Sequence, residues 1–444
     1  MYMDTLMKYF SKLGAQRHLV AIRDGFVTLM PLMIIGSLVT LINQVPSIIN
    51  EMFGTQLALP AFISTLNGNI WWGTFDMIGL MAVIAISYNL AKYYDSDRLA
   101  AAIISISCYL TIVPQTITAV SEAGEEVAAW GNVNRAFTNA QGLFVGIIVA
   151  LIATEIFVRL KQNEKLVIKM PEGVPPAVGR SFAAIIPGSI TIIAMTASVM
   201  IIERIAHAIM GGDTMMSIFE LVTTFVSQPL LHVADSMGYA LVVVFFNQVL
   251  WFFGLHGSNI IEGIIQPISL QMMEANAVAF QAGEAVPHIV TKPFLDAFVY
   301  IGGSGTVLGM LLAIFLVCKA KQNRTIAKLS IGPSIFNINE PTIFGMPIVL
   351  NPILFVPFVL SPMIVAAVSY LAMASGLVGR TVAIVPWATP PIVSGFLVTG
   401  GDWKACILQI VNVAISFAIY LPFIKVADRA ELKREKEMEA EAQA

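Results

Sequence analysis

Long runs without Asp, Glu, Lys or Arg recur along the chain, at residues 25–50, 99–121, 136–154, 181–202, 236–261, 297–318, 341–379, 381–401 and 405–424. Another apolar stretch, around 70–91, is broken only by Asp76. A bilayer crossing needs about 20 mostly apolar residues in helical geometry. A buried soluble core does not produce uncharged runs of this length repeatedly. The pattern therefore predicts an all-α polytopic membrane protein with about ten transmembrane helices.

The pattern breaks in the second half. Residues 251–267 read WFFGLHGSNIIEGIIQP, where Gly254, Gly257 and Gly263 interrupt the apolar positions and Pro267 ends them. Residues 333–352 read PSIFNINEPTIFGMPIVLNP, with four prolines that one straight helix cannot hold. Residues 381–401 are uncharged yet contain Pro386, Pro390 and Pro391. Broken backbone survives at membrane depth only where protein covers it or it lines a cavity. Paired interrupted segments are the sequence pointer to a transporter's binding site. The expectation is two re-entrant hairpins in the C-terminal half, with the site on them. The polar, Pro-rich stretch 167–180 reads as a connection on the cytoplasmic side. The segment 205–235, with Gly211, Gly212 and Asp213, marks the boundary between an N-terminal membrane domain, 1–210, and a C-terminal transport domain, 211–427. Residues 428–444 form a charged tail.

Composition sharpens this picture. The chain is 57% hydrophobic and 12% charged, against roughly 25% charged in soluble domains. Disorder and collagen are excluded, and a net charge of −3 offers no basic surface for nucleic acid. Most Lys and Arg fall in five clusters: around Lys8–Arg23, Lys92–Arg98, Arg159–Arg180, Lys319–Lys328 and Lys425–Lys436. Cytoplasmic loops collect such residues, so both termini are expected inside. The loop with Glu122, Glu125 and Glu126 is expected outside. Residues 2–13 put Tyr2, Leu6, Tyr9, Phe10 and Leu13 on one helical face, as in an amphipathic helix lying on the inner leaflet. They lack the features of a cleavable signal. Cys108, Cys318 and Cys406 are scattered in apolar runs, so neither a metal site nor a disulfide is expected. There is no GxxxxGK[ST] loop, no Arg-rich span and no TVGYG filter.

Glu340 is the leading candidate for chemistry. It sits in Asn337-Ile338-Asn339-Glu340-Pro341 between apolar flanks, where a carboxylate costs a few kcal/mol to insert. With Asn337 and Asn339 it forms a set of donors and acceptors suited to hydroxyl groups. His256 is second, held among glycines in a Trp/Phe-rich run near Glu262; no second His lies at metal-ligand spacing. Trp251 and Trp387 offer aromatic faces for sugar rings, and Thr389 shares the Trp387 segment. Trp71 and Trp72 read as interfacial residues. Lys292 and Asp296, spaced i, i+4 after His288, can pair on a helix, either to hold the mouth of the site or to meet substrate. Gly302, Gly303 and Gly305 permit close backbone approach to a helix or a ligand.

Five segments, KMPEGVPPAVGRSF, WFFGLHG, HIVTKPFLDAF, NINEPTIFGMPIVLNP and VPWATPP, carry a resemblance. Together and in this order they resemble the membrane IIC component of bacterial sugar phosphotransferase systems, in the lactose/cellobiose/diacetylchitobiose branch. The resemblance runs from about residue 15 to about residue 425. It implies a homodimer in the bacterial cell membrane with its contact in the N-terminal half. It implies a C-terminal half that carries a disaccharide as a rigid body. The sugar is then phosphorylated on its 6-hydroxyl by a phosphocysteine on a separate IIB protein, itself charged by IIA. The chain would not be catalytic alone and would hold no cofactor. Glu340 and His256 match the family's sugar-binding pair near the reacting hydroxyl; Asn339, Trp251 and Trp387 match lining positions. Cellobiose and diacetylchitobiose are favoured over lactose. A proton-coupled sugar symporter, with Glu340 and His256 as its relay, is the main alternative, and a passive sugar channel a third.

Overall fold

The computed structural model describes residues 11, 12, 14–120, 126–171, 173–211, 215–346 and 348–443. The N-terminal half contains α1 (Arg17–Phe53), α2 (Ala61–Thr74), α3 (Ile78–Tyr93), α4 (Arg98–Ile112), α5 (Leu143–Lys161) and α6 (Pro176–Met210). The C-terminal half contains α7 (Met237–Phe252), α8 (Gly257–Gln281), α9 (Val307–Val317), α10 (Lys321–Ile335), α11 (Pro352–Ala374) and α12 (Trp403–Gln443). Short helices at Ile218–Val222, Gln228–Ala234, Glu340–Gly345 and Val393–Val398 lie between them.

The ends follow the local sequence. The Gln16 side chain accepts from the amide of Leu19 at the start of α1, and Gly54 ends that helix at φ 63°. Asp97 caps α4 by accepting from Ala100 at 3.1 Å. One element departs from the all-α expectation. Thr116–Val120 (β1) and Glu126–Trp130 (β2) pair antiparallel, with Thr116 opposite Trp130. β-branched Thr, Ile and Val favour a pleated strand, and here they do so inside and just past a run that reads as a span.

Among the described residues, six helical stretches are long and apolar enough to cross a membrane, and a seventh if the pair Ile218–Ala234 and Met237–Phe252, bent by 82°, is one broken span. Two further apolar helices, Arg98–Ile112 and Val307–Val317, are shorter than a full crossing. The reason is visible in the uncharged runs themselves. The run 297–318 spends its first part on a π-helical turn and a glycine turn, leaving the 11 residues of α9. The run 381–401 holds only the six-residue helix Val393–Val398. Apolarity puts a segment at membrane depth; prolines and left-handed residues keep it from being a full helix.

Three large clusters of core organise the molecule. Phe26 of α1, Ile78 and Ile86 of α3, Tyr109 of α4 and Leu143 of α5 pack in one cluster. Val244 of α7, Phe294, Phe298, Ala366 and Met373 of α11 and Ala405 of α12 form another. A neighbouring cluster joins Met310 and Ile314 of α9 to Ala327, Ile343, Phe358 and Tyr420. Helix α8 lies at the seam: Leu270 and Ala277 pack in the first cluster and Ile265 in the second. Cys108 and Cys318 are buried among apolar neighbours and Cys406 is half-buried, none of them paired. The charged tail begins in contact with the body: Asp428 accepts from the amides of Lys319 and Ala320 at 2.9 and 3.0 Å. The amphipathic face of Tyr2, Leu6, Tyr9, Phe10 and Leu13 lies outside the described residues, as do Glu122, Glu125, Gly212 and Asp213.

Candidate functional site

Three breaks in helical structure meet at one cavity. The first separates α7 from α8. Phe253 ends α7, Gly254 turns at φ 75°, and His256 caps α8, its Nδ1 accepting from the amide of Asn259 at 3.3 Å. Gly257 lies so close to the Asn247 carbonyl that no side chain fits there. With Nδ1 accepting, neutral His256 carries its proton on Nε2.

The second break is the turn from α10 into Glu340–Gly345. Asn337 stands at φ 61°, in the left-handed region. Its Oδ1 accepts from the amide of Gly302 at 2.9 Å, and its Nδ2 donates to the carbonyls of Trp387 and Thr389 at 2.6 and 3.3 Å. Asn339 donates to the carbonyl of Ser304 at 3.2 Å. Glu340 then begins the short helix as its first residue.

The third break is the extended segment after α11, which carries Trp387. Thr389 folds back on it, its amide and hydroxyl both donating to the Pro386 carbonyl at 2.9 and 2.7 Å. Between these segments runs the glycine turn, where Gly302, Gly303 and Gly305 have φ of 86°, 97° and 87°. A Cβ on Gly303 would lie 2.5 Å from Asn339 Cβ and 2.7 Å from the Asn337 carbonyl oxygen. That turn can therefore only be glycine if the Asn337–Glu340 turn is to sit against it.

The resulting cavity is about 300 Å³. Glu340, His256, Asn339, Asn337, Trp251 and Trp387 all line it, and Thr389 does not. His256 Nε2 and Glu340 Oε1 are 3.7 Å apart. That is too far for a formed hydrogen bond, so both part-exposed groups keep capacity to bond something between them. The Trp251 ring lies against His256, centroids 4.4 Å apart. Trp251 is 2% exposed, and its Nε1 has no partner within the protein.

One wall carries charge. Lys292 Nζ is 3.0 Å from Glu262 Oε1 and 2.7 Å from Asp296 Oδ2. The pairing of Lys292 with Asp296 follows the i, i+4 spacing, although Leu295–Val299 is a π-helical turn. Glu262 makes the pair a triad. His288 stands elsewhere, with Nδ1 3.1 Å from Asp235. Part of the lining comes from the N-terminal half: Val27 and Met30 of α1 line the cavity. Nothing in the local sequence marks them, because one apolar helical position looks like another. Asn247 and Ser304, joined at 3.2 Å, also line it. A polar residue inside an apolar run was the signal that could have singled out Asn247.

The arrangement offers a carboxylate, an imidazole, amides and two indoles around a hollow that fits a small polar ligand. Ligand pockets are about 300–1,000 Å³. Such a set can orient a hydroxyl group and accept its proton. Among the described residues no group of three His, Cys, Asp or Glu is placed to hold a metal ion.

Known proteins share both the sequence and the fold. The chain is 39% identical to the lichenan permease IIC component of Bacillus subtilis (strain 168), over 98% of this chain and 95% of that one. It is 38% identical to the PTS system cellobiose-specific EIIC component of Geobacillus stearothermophilus, again over 98% and 95%. It superimposes with a TM-score of 0.88 and 39% identity on the crystal structure of ChbC, the IIC component from the N,N'-diacetylchitobiose-specific phosphotransferase system, covering 98% of this chain and 99% of that one. The sequence profile described as "Phosphotransferase system, EIIC" matches residues 23–362, through the α1 wall, both helix breaks at His256 and Glu340, and into α11. The chain with this broken-helix cavity belongs to the EIIC family of the phosphotransferase system, and is a multi-pass membrane permease for sugars.

Proposed function

We propose that this permease carries a β-linked disaccharide, of the cellobiose or diacetylchitobiose type, and presents its 6-hydroxyl to the phosphocysteine of a IIB protein. Relatives named for cellobiose and for N,N'-diacetylchitobiose support the substrate class. The observation that carries the reading is the convergence of His256 and Glu340, 3.7 Å apart, from two separate helix breaks onto one hollow. A hydroxyl placed there meets a carboxylate that accepts its proton and an imidazole N–H that fixes its direction. The phosphoryl group arrives on the partner, so this chain supplies position rather than a nucleophile of its own. Trp387 provides a ring face while buried Trp251 backs the His256 ring, and the triad of Glu262, Lys292 and Asp296 can meet further hydroxyls.

Transport direction follows from charge. A sugar phosphate carries nearly two negative charges and does not recross a bilayer. The C-terminal unit, 211–427, moves as a rigid body against the N-terminal unit, 1–210, alternating access with its re-entrant hairpins closing over the sugar. The N-terminal unit makes a homodimer contact, both termini lie in the cytoplasm, and IIA recharges IIB. Alone the chain catalyses nothing; with IIB it completes a sugar phosphotransfer.

The experiment is uptake of labelled cellobiose and diacetylchitobiose into vesicles containing the purified protein, with and without phosphorylated IIB on the cytoplasmic side. Accumulation of sugar 6-phosphate only with IIB is expected, and the better substrate names the sugar. Free sugar accumulating under a proton gradient without IIB would replace the reading with a symporter.

A further inference from the structure

Asn247 is a polar residue in the apolar run of α7 and is 1% exposed. Both ends of its amide are engaged. Nδ2 donates to Ser304 Oγ at 3.2 Å, and Oδ1 accepts from Ser258 Oγ at 3.3 Å. The two serine hydroxyls are 3.3 Å apart, which closes a triangle. Its corners lie on three separate pieces of chain: α7, the first turn of α8 and the glycine turn. A buried polar network whose members are bonded to one another fixes one arrangement of the parts it joins.

Two corners of the triangle lead to His256 and Glu340. Ser258 is two residues past His256. A Cβ on Gly257, between them, would lie 2.3 Å from the Asn247 carbonyl oxygen and 2.5 Å from its Oδ1, so α7 and the start of α8 touch at that point. Trp251, one turn after Asn247 on α7, backs the His256 ring. Ser304 leads the other way. Its carbonyl accepts from Asn339 Nδ2 at 3.2 Å, and buried Asn339 directly precedes Glu340. His256 and Glu340 form no hydrogen bond with each other at 3.7 Å. Their separation is therefore set by whatever holds the two helix breaks, and the triangle of Asn247 holds both. With so little of its surface exposed and both ends of its amide engaged, Asn247 acts through these neighbours rather than on a ligand.

We propose that Asn247 is the positioning residue of the His256–Glu340 pair: through Ser258 and Ser304 it sets the two groups at the separation that directs one sugar hydroxyl toward the phosphoryl donor. The proposal rests on the phosphotransfer reading above. Loosening the pair costs rate before affinity, because misplacing a reacting group by about 1 Å costs about a hundredfold in rate, while the other contacts still hold the sugar. The test compares wild type with Asn247→Leu, Ser304→Ala, Ser258→Ala and Ser258→Thr in vesicles. Cellobiose or diacetylchitobiose, whichever wild type prefers, is supplied together with saturating phosphorylated IIB on the same side, so that transport does not limit the rate. Rates are taken per sugar-binding protein, counted by titration, and each variant's melting temperature is followed. The fold should hold without the triangle, because the Leu350 amide donates to the Phe252 carbonyl at 3.0 Å and ties the same two segments through backbone. The expected result is a kcat lowered about ten- to hundredfold in Asn247→Leu and about threefold or more in the two alanine variants, with the sugar KM within about threefold of wild type. Ser258→Thr keeps the hydroxyl and should keep kcat within about twofold of wild type. An unchanged kcat per binding site in the three loss variants would overturn the proposal, whatever their melting temperatures, and leave Asn247 a structural residue. A raised KM at unchanged kcat would overturn it too, and place Asn247 in sugar binding. If Asn247→Leu does not fold, the Ser258 variants decide: equal kcat with alanine and threonine overturns the proposal. Failure of the wild-type protein to form any sugar phosphate is a separate result, and removes the phosphotransfer reading together with the reaction Asn247 would serve.

Discussion

Glu340 and His256 were legible in the sequence because each is a titratable residue in an apolar setting with broken backbone beside it. What the sequence could not convey is how a side chain is used. Asn337 reads as a group for sugar hydroxyls, yet its amide is engaged by Gly302, Trp387 and Thr389, so it fastens three segments together. Thr389 reads as a hydroxyl in the pocket, yet it bonds Pro386 within its own turn. Glu340 is different: its ionisable neighbour His256 stands 3.7 Å away, with no hydrogen bond formed between them. Glu340→Gln keeps the shape and removes the charge. It is expected to retain folding and to weaken sugar binding by about 1.5–3 kcal/mol, the worth of a hydrogen bond to a charged group. Wild-type affinity by calorimetric titration would remove Glu340 from the site. Trp387 is 45% exposed on the cavity wall. Trp387→Ala is expected to weaken disaccharide affinity by about 1–3 kcal/mol, by analogy with aromatic stacking on bases. An unchanged affinity in the same titration would make it an interfacial residue.

At the scale of elements, hydropathy marked the apolar segments, and prolines and glycines marked the breaks. Length is where the reading parted from the structure. An uncharged run such as 381–401 is as apolar as a span, but it is extended and ends in a six-residue helix. Apolar content reports the solvent of a segment, whereas helix length depends on every residue accepting helical φ and ψ. The strands β1 and β2 show the same limit, since five β-branched or small residues carry no periodicity that excludes a helix end. The glycine turn gives the clearest test of an element. Gly303 combines φ 97° with contact distances that leave no room for Cβ. Gly303→Ala should strain the backbone by about 1–3 kcal/mol and push the Asn337–Glu340 turn out of place. The expected outcome is a lower melting temperature together with sugar affinity reduced tenfold or more. A variant that melts lower but binds sugar normally would show that the turn's position matters to the fold and not to the site.

The whole molecule adds a relation that no single segment contains. The cavity of His256 and Glu340 belongs mainly to the C-terminal half, but Val27 and Met30 of α1 close one side, and Arg23 with Glu262 and Lys292 lines the small space of about 50 Å³ beside it. If the halves move against each other, this wall must part, and the contact between α1 and α8 is the place to hold it shut. A Cβ at Gly263 of α8 would stand 3.8 Å from Arg23 Cβ, which is the usual Cβ separation of a disulfide, about 3.8 Å. The double substitution Arg23→Cys with Gly263→Cys should therefore cross-link on mild oxidation, with Cys108 and Cys318 too buried to compete. Rigid-body alternating access requires the oxidised protein to bind sugar near normally and to lose nearly all IIB-dependent uptake, with a reductant restoring it. Full uptake by the cross-linked protein would mean that α1 and α8 travel together. The moving boundary would then lie beyond α8, on the far side of the first apolar core, where Leu270 and Ala277 already tie α8 to the N-terminal half.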